Sequence, residues 1–385
     1  MAEPWWRIGN VGDVPSPALL IYPDRASDNL ERLIGLAGGT GRLTPHMKTH
    51  KLSEIAQMHA ALGMTRVKCA TIAEAEMLAR SGASDVLLAY QPVGPAIARL
   101  ISLILQFPGI RFSALVDHER VVREIDEAGQ AAGRQVPLLV DLDVGMHRTG
   151  IAVQDAAGLY SSLSRRRGVA PDGLHAYDGH LRDRDLAARQ AQADEVFERV
   201  ASLRADLLAA GLPVPRVVMG GTPTLSCHRR RTLDGLELSP GTAVFWDAGY
   251  AAGLPDLPFQ PAALVLTRVV SKPGASRVCL DLGHKAIASE MPHPRVVLIA
   301  PEAIPGAPAA GLDMPVLPAE FIGHSEEHLV LETPHASDLS VGDVLYGVPW
   351  HVCPTVALHG EAVAVRDGSA AERWKVVARE RTLTI

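Results

Sequence analysis

The sequence predicts an α/β protein that consists of a closed, TIM-like (β/α)8 barrel and a second, mostly antiparallel β domain. With 385 residues the chain is too long for one ordinary hydrophobic core. Between residues 24 and 252, short apolar runs alternate with segments of helical periodicity, whereas short β-type runs prevail after residue 253. We therefore expect the barrel at 24–252 and the β domain at 1–23 together with 253–385.

Eight short apolar runs are predicted as barrel strands, because strands that alternate with helices are typical of a parallel sheet. An earlier run, Pro17–Tyr22, precedes the barrel and could join the β domain. The eight barrel strands are expected at Arg42–Lys48, Arg66–Ala70, Val86–Tyr90, Phe112–Val116, Pro137–Leu142, Gly173–Tyr177, Arg216–Met219 and Thr242–Trp246.

Most gaps between these strands carry apolar residues at helical spacing. The first such segment, Asp24–Ala37, places its apolar side chains on one face. The pattern is weakest after the seventh strand. The other helices are expected at Leu52–Leu62, Ile72–Arg80, Ala96–Ile104, Glu119–Ala132, Ala152–Arg165 and Asp185–Ala210.

After Tyr250 the composition changes, and Gly253–Pro258 is predicted to be a linker. The runs beyond it are short, are separated by proline and glycine, and show no long helical period, which favours antiparallel strands. These strands are expected at Ala263–Val270, Arg277–Leu282, Arg295–Ile299, His328–Glu332, Val344–Tyr346, Glu361–Arg366 and Trp374–Ala378.

The bulk composition argues against several classes of function. The formal net charge of −6 gives no electrostatic case for binding nucleic acid. The four cysteines are widely spaced and include no C-x-x-C pair, which fits a reducing cytoplasm better than a disulfide framework. We see no secretory signal and no apolar stretch long enough to span a bilayer. The expectation is a cytoplasmic protein that binds neither nucleic acid nor membrane.

The stretch Thr44–Lys51 contains two lysines and two histidines. A lysine at the carboxyl end of a strand can be driven toward neutrality by burial and by nearby cations. A neutral amine forms Schiff bases with carbonyl compounds, pyridoxal phosphate among them. Lys48 is therefore the candidate nucleophile, and a solvated basic turn is the alternative interpretation.

Other candidate residues lie where later barrel strands are expected to end, which is where barrels build their active sites. Gly220-Gly221-Thr222 follows the seventh strand and could bind phosphate, since paired glycines let backbone N–H groups converge and Thr222 adds a hydroxyl. Glycine pairs also make ordinary turns.

Two side chains on neighbouring loops could contact a cofactor ring. Arg148 could pair with an anionic ring oxygen, or could form a surface ion pair. Tyr177 could pack on the ring or hydrogen-bond to it, or could belong to the core at the top of the barrel. Tyr250, just after the eighth strand, is also assigned to the cofactor-binding set.

A possible metal site is His351-Val352-Cys353 in the β domain. On an extended segment, residues two apart point to the same face. Imidazole and thiolate together suit Zn²⁺, and two protein ligands leave positions open for a substrate. An isolated H-x-C is more often structural or incidental, but the flanking prolines stiffen this segment.

The segment Pro45-His46-Met47-Lys48-Thr49-His50-Lys51 resembles the lysine motif of the fold-type III pyridoxal phosphate enzymes, whose barrel is that of alanine racemase. Within them the chain resembles the D-threonine aldolase and D-serine dehydratase family over about residues 15–367. The resemblance implies a homodimer, with pyridoxal 5'-phosphate on Lys48. It also implies cofactor contacts from Arg148, Tyr177 and the loop Gly220–Thr222, and a divalent metal, Zn²⁺ or Mn²⁺, at His351 and Cys353.

One residue departs from the aldolase pattern. Typical D-threonine aldolases are expected to have aspartate where Cys353 stands, whereas H-x-C resembles the dehydratases of D-serine and D-3-hydroxyaspartate. The run Ala176–Gly179 is closer to the aldolases.

The resemblance therefore implies a lyase that acts on small D-3-hydroxy amino acids. The favoured reaction is retro-aldol cleavage to glycine and an aldehyde, with His180 as a candidate second base or, equally, a hydrogen-bonding residue at the barrel mouth. The alternative is dehydration to a keto acid and ammonia. A racemase, which would need no metal, and a catalytically silent cofactor-binding protein are less favoured.

Overall fold

A computed structural model describes residues 4–309 and 311–385. The chain divides into two compact units. The first, called the barrel unit, comprises Leu33–Lys48, Ser53–Gly241 and Glu380–Ile385. The second, called the β unit, comprises the chain up to Arg32, Thr49–Leu52 and Thr242–Arg379.

The regular elements in the described residues are nineteen strands and ten α-helices. One strand, β1 (Ala18–Ile21), precedes the barrel unit, whose strands are β2 (Arg66–Cys69), β3 (Asp85–Leu88), β4 (Arg111–Val116), β5 (Val136–Asp143), β6 (Ile151–Ala152), β7 (Val169–Ala176), β8 (Val217–Met219) and β9 (Leu236–Leu238). The later strands are β10 (Ala263–Ser271), β11 (Arg277–Leu280), β12 (Val296–Leu298), β13 (Ala307–Pro308), β14 (Pro315–Val316), β15 (Glu320–His324), β16 (Leu329–Glu332), β17 (Val344–Pro349), β18 (Glu361–Arg366) and β19 (Ser369–Lys375). The helices are α1 (Pro23–Ala37), α2 (Ser53–Ala61), α3 (Ile72–Arg80), α4 (Pro95–Gln106), α5 (Glu119–Ala131), α6 (Ala156–Leu163), α7 (Leu186–Ala209), α8 (Leu225–His228), α9 (Ala248–Gly253) and α10 (Val352–Leu358).

The barrel unit is built on a parallel sheet in the order β2-β3-β4-β5-β7-β8-β9, with β6 paired to β5. Helix α2 precedes β2, and helices α3 to α8 fall between these strands in the sequence, so the α/β alternation predicted from the sequence is confirmed. The helix after β8 has only four residues, in keeping with the weak pattern there. Leucine and valine side chains from four strands form a buried cluster within this sheet, at Leu87, Leu115, Leu139 and Val218.

The first predicted barrel strand, Arg42–Lys48, is not a regular strand. The segment makes two isolated parallel bridges, Leu43 with Leu238 of β9 and His46 with Lys68 of β2, and a 3₁₀ turn begins at Met47. Pro45 explains the irregularity, because proline has no N–H to donate to a ladder. The two bridges nevertheless join the two edges of the sheet, so the ring of strands is closed.

The eighth predicted strand, Thr242–Trp246, was wrong. That segment opens with a 3₁₀ turn at Thr242–Val244, and Trp246 has a positive φ of 48°. The true eighth strand is β9, which ends before Pro240-Gly241. The apolar run Thr242–Trp246 was predicted as a strand because its residues are apolar. In the structure they are buried but do not form a strand. β9 was not recognised because it is only three residues long and carries a buried glutamate.

The β unit contains a sheet in the order β15-β16-β11-β10-β1-β18-β19, with β17 paired to both β10 and β12. All its pairs are antiparallel except β1 with β18, so the mostly antiparallel domain is confirmed. The last predicted run, Trp374–Ala378, is displaced, since β19 ends at Lys375. The short strands β13 to β15 were not predicted.

No helix in the described residues combines the length and the apolar character needed to cross a membrane.

A buried ion-pair network lies at the amino-terminal ends of the barrel strands. The guanidinium of Arg216 hydrogen-bonds both carboxylate oxygens of Glu237, at 2.8 and 2.9 Å, and also reaches Asp85 and Asp172 at 3.3 Å. Arg111 contacts the same two aspartates from a more exposed position. The network places one buried arginine among three carboxylates.

Arg216→Met is expected to destabilise the protein strongly, because it leaves these carboxylates without their central cation. Removing one partner of a buried pair costs about 3–5 kcal/mol. Arg111→Met, which removes the half-exposed arginine, should cost clearly less. Thermal and urea unfolding of both variants measure the difference, and equal stabilities for the two would contradict the central role of Arg216.

Candidate active site

Lys48 lies in the 3₁₀ turn Met47–Thr49, directly after the segment that closes the barrel. Its side chain is half-buried. The segment is fixed by backbone hydrogen bonds, since Lys68 N donates to Pro45 O at 2.9 Å and His46 N donates to Pro240 O at 2.8 Å. Lys48 is therefore held next to the carboxyl ends of β2 and β9, where barrel enzymes place their chemistry.

The loop that carries Arg148 is tightly folded. The Asp143 carboxylate accepts hydrogen bonds from the N–H groups of Gly145 and His147, at 2.9 and 3.0 Å. Gly150 has φ +102°, and a Cβ there would lie 2.5 Å from Asp143 N, so only glycine fits. The loop brings the Arg148 guanidinium 5.1 Å from the centroid of the Tyr177 ring, which is in cation–π range.

The glycine loop after β8 packs against Tyr177, because a Cβ on Gly221 would lie 2.9 Å from the Tyr177 ring. Gly220 N donates to Ala176 O, and Gly221 N donates to the Thr224 hydroxyl. These two N–H groups therefore point to protein partners and do not form the converging pair expected from the sequence. Thr222 Oγ1 accepts from Gly241 N at 3.0 Å.

The buried carboxylate of Asp178 contacts two side chains that follow this loop. Its two carboxylate oxygens bind the Thr224 hydroxyl at 2.6 Å and His228 Nε2 at 2.7 Å, and all three side chains are fully buried.

Ser239, after β9, offers a further test of whether phosphate fits here. Its side chain is only 3% exposed, and its hydroxyl has no hydrogen-bond partner among the described residues. A buried hydroxyl without a partner is costly unless a ligand satisfies it. Ser239 and Thr222 follow the last two barrel strands, which is where barrels commonly bind phosphate. The residues present therefore fit a phosphorylated cofactor.

Three ionisable residues that sequence reasoning did not assign lie inside the barrel. Lys68 Nζ is 3.3 Å from His175 Nε2, and His175 Nδ1 is 2.6 Å from Asp141 Oδ1. All three are buried. The available signal was a charged or polar residue in the middle of an otherwise apolar parallel strand, which is uncommon unless it is paired.

The pKa values of this group reflect burial and pairing. Burial and then the charge of Lys48 lower the pKa of Lys68 to about 7. Burial and the charge of Lys68 lower the pKa of His175. Burial alone would raise the pKa of Asp141, but its pairing with His175 outweighs burial and lowers that pKa.

Two further predicted residues take separate places. His180 is exposed in the loop after β7 and lies against Gly145, where a Cβ would be 2.8 Å from His180 Nε2. Tyr250 belongs to the β unit, in helix α9, and stacks on Trp246 with ring centroids 5.7 Å apart.

The metal pair of the β unit is not on an extended segment, so that part of the prediction was wrong. His351 is the N-cap of α10, and Cys353 lies in its first turn. Pro354 is compatible with this helix, because proline is tolerated in a first turn. Asp247 Oδ2 accepts from Val352 N at 3.0 Å and so satisfies a donor at the start of the helix.

His351 and Cys353 are nonetheless paired with each other. Burial alone would lower the pKa of His351, but its hydrogen bond to Cys353 outweighs burial and raises that pKa to about 9. Burial alone would raise the pKa of Cys353, but the same bond lowers it. His351 Nδ1 also contacts Glu290 Oε1 at 2.5 Å, and Cys353 Sγ lies 3.2 Å from the Thr49 hydroxyl.

This pair alone could offer a metal one imidazole and one thiolate. Among the described residues, no group of three or more histidine, cysteine or acidic side chains is arranged to hold an ion. Any ion there would keep open coordination positions, which is typical of catalytic rather than structural zinc.

The fold defines a (β/α)8-barrel protein with an appended β domain, and the carboxyl ends of its strands carry the candidate site. The sequence matches the family of the alanine racemase N-terminal domain over residues 21–248, and a putative serine dehydratase domain over residues 262–365. D-threonine aldolase from Arthrobacter sp is 33% identical over 374 residues, which cover 95% of this chain and 93% of that protein. The 3-hydroxy-D-aspartate aldolase of Paracoccus denitrificans (strain Pd 1222) is 28% identical over 382 residues, covering 95% and 92%.

Solved structures agree with these matches. The crystal structure of D-threonine aldolase from Filomicrobium marinum superposes with a TM-score of 0.83 at 30% identity, covering 96% of each chain. D-threo-3-hydroxyaspartate dehydratase from Delftia sp. HT23 shares the fold, with a TM-score of 0.79 at 24% identity over 94% of this chain and 97% of that one. The chain belongs to the alanine racemase N-terminal domain family, and within it to the pyridoxal phosphate-dependent aldolases and dehydratases, which are lyases.

Removing the hydroxyl of Ser239 or Thr222 is expected to weaken cofactor binding. A hydrogen bond to a charged group contributes about 1.5–3 kcal/mol, so Ser239→Ala and Thr222→Val should each raise the Kd of pyridoxal phosphate about ten- to a hundredfold. Fluorescence titration of the cofactor-free protein measures the Kd.

Ser113→Ala is the matched control, because Ser113 is an equally buried serine without a described partner, in the middle of β4. A Kd unchanged in the Ser239 and Thr222 variants, or changed equally in the Ser113 variant, would place the phosphate elsewhere.

Proposed function

We propose that the protein cleaves D-3-hydroxy amino acids to glycine and an aldehyde, as a D-threonine aldolase does. The observation that carries this proposal is the 33% identity to a D-threonine aldolase across 95% of the chain. The substrate is a small D-amino acid with a hydroxyl on Cβ.

Lys48 is proposed to be the residue that binds pyridoxal phosphate covalently. When bound, the cofactor supplies an electron-withdrawing ring that accepts the electron pair left at Cα when the bond to Cβ breaks. Arg148 and Tyr177 would hold that ring, since the structure brings their side chains together. Ser239 and Thr222 would bind its phosphate.

A divalent ion at His351 and Cys353 is proposed as the second cofactor. The lowered pKa of Cys353 favours the thiolate, which is the ligand form of cysteine. Glu290 contacts the other ring nitrogen of His351 and would orient the imidazole, as carboxylates do beside metal-bound histidines. Zn²⁺ suits this donor pair better than Mn²⁺, and bound there it would supply a Lewis acid for the substrate hydroxyl.

The residue that would take the proton of the hydroxyl is proposed to be His180. It is exposed and lies beside the Arg148 loop, so it is accessible to a substrate in solution. Its role stays a prediction.

Dehydration is the second candidate reaction, and Cys353 is the observation that favours it. H-x-C resembles the pattern of the dehydratases, and D-threo-3-hydroxyaspartate dehydratase of Delftia sp. (strain HT23) is 30% identical over 60% of this chain and 61% of that protein. The products differ completely, because dehydration releases a keto acid and ammonia.

The resemblance and the state of the cysteines also bear on assembly and location. We propose a homodimer, on the resemblance to the fold-type III enzymes. We propose a cytoplasmic location because all four cysteines are free thiols and three of them are buried.

Product analysis with D-threonine, D-serine and D-3-hydroxyaspartate tests the proposed reaction. Glycine and an aldehyde are expected, with no ammonia, and Lys48→Ala should form neither set of products. Keto acid and ammonia from the same substrates would establish the dehydratase instead. Release of the L-enantiomer without cleavage would contradict both and indicate a racemase.

Cys353→Ala and His351→Ala are expected to remove the ion and to lower kcat at least about a hundredfold, since a Lewis acid lowers the barrier by several kcal/mol. Absorbance of the bound cofactor should persist in both variants, and a chelator should reproduce the loss reversibly in the native protein. Metal content is measured by elemental analysis.

Cys353→Asp is the matched variant, which should keep an ion but favour harder metals such as Mn²⁺. Full activity in metal-free protein would contradict the proposed role. A large loss of thermal stability on chelation would indicate a structural ion instead.

A further inference from the structure

Lys68 is a buried lysine of the barrel unit that the proposed function does not use. It lies in β2 and is 1% exposed, although lysine is rarely buried without a carboxylate partner. Its described hydrogen-bond partner is an imidazole, His175 Nε2, at 3.3 Å. The Tyr177 ring centroid is 5.8 Å from Nζ.

The direction of the hydrogen bonds follows from the pairing. Asp141 is a carboxylate that only accepts, so His175 donates to it through Nδ1–H. His175 Nε2 then carries the lone pair, and Lys68 donates to it whether the amine is charged or neutral. Thr149 donates to the second oxygen of Asp141 at 2.9 Å. The chain of bonds thus fixes the amine of Lys68 without fixing its charge.

Two cationic groups lie near the Tyr177 ring. Arg148 is exposed and permanently charged, with its guanidinium 5.1 Å from the ring centroid. Lys68 approaches the same ring from the buried interior, at 5.8 Å. The two cations differ in one respect that matters: only Lys68 can lose its charge near neutral pH.

We propose that Lys68, held by His175 and Asp141, is a positioning residue that adds or withdraws a buried positive charge beside the cofactor bound to Lys48. This inference rests on the proposed assignment of Lys48 as the cofactor lysine. It goes beyond that assignment because it gives a second lysine control over the electrostatic state of the site.

The charges around Lys68 support a transition near neutrality. Burial and the charge of Lys48 lower the pKa of Lys68 to about 7, so the amine is charged below that pH and neutral above it. Several ionisable groups lie around Lys68. Lys48 and Arg148 lower its pKa, whereas Asp141 and Asp178 raise it. His175 shares the hydrogen bond, and His46 lies in register with Lys68 across the parallel bridge.

The test uses the holoenzyme without substrate and follows the visible absorbance of the cofactor between about pH 5.5 and 9. The native protein should show a transition within this range, because burial lowers the pKa of Lys68. Lys68→Met should keep the high-pH spectrum throughout, since the side chain is of similar length and uncharged. Lys68→Arg should keep the low-pH spectrum throughout, since guanidinium does not titrate in this range.

Asp141→Asn provides a second test that leaves Lys68 in place. Without that carboxylate the charged amine is less stable, so the midpoint should fall by roughly half a unit to one unit. Lys51→Met is the matched control for loss of a lysine. Lys51 lies close to Lys48 in the sequence, but its amine contacts Ala378 O in the β unit. Its transition should match that of the native protein.

A transition with an unchanged midpoint in the Lys68 and Asp141 variants would overturn the inference. Borohydride reduction and peptide mapping separate this result from failure of the proposed function. Cofactor fixed to Lys48 with no effect of Lys68 overturns only the inference. Cofactor fixed to Lys68, or no cofactor bound to the native protein, overturns both.

Discussion

Three backbone hydrogen bonds along Leu43–His46 close the barrel, and the placement of Lys48 depends on them. Thr44 N and His46 N donate toward β9 and the residues after it, while Pro45 O accepts from Lys68 N on the other side. The backbone of this segment hydrogen-bonds to β9 on one side and to β2 on the other. Because Pro45 has no N–H group to donate, the ladder is incomplete and the segment is not a regular strand. The stretch Thr44–Lys51 therefore has a structural role as well as a chemical one. Its backbone links β2 to β9, and Lys48 follows His46 by two residues.

Buried charged side chains lie at both ends of the barrel, and their partners differ between the two ends. At the amino-terminal end, the carboxylates around Arg216 are also contacted by Arg111 and Arg66, so each carboxylate has more than one cationic partner. At the carboxyl end, Lys68 has an imidazole for its partner, and its charge is only partly compensated through Asp141. This contrast is the one expected between a structural end and a functional end of such a barrel.

The sequence predicted the alternation of strands and helices, and the resemblance predicted the family, because both depend on local patterns. It failed where tertiary context decides. Thr242–Trp246 is as apolar as a strand but has no place in the ring, whereas the three-residue β9 is too short to be recognised. The H-x-C segment was predicted to be extended. In the structure a helix begins there, and the carboxylate of Asp247, which is distant in the sequence, accepts a hydrogen bond from the first N–H group of that helix. Lys68 and Ser239 were missed because their significance lies in partners, or the lack of them, that no spacing reveals.

The low pKa of Lys68 has a consequence for the stability of the fold. In the unfolded chain the amine has an ordinary pKa of 10.5, so at neutral pH it binds a proton that the folded state holds only weakly. The folded state is therefore penalised at neutral pH, and the penalty disappears as the pH rises through the unfolded value. The penalty grows with the size of the shift, since each pKa unit corresponds to about 1.36 kcal/mol. A methionine at this position would avoid that cost and fill similar space. A buried lysine that lowers the stability of the folded state is better explained by the charge it brings to the site than by packing.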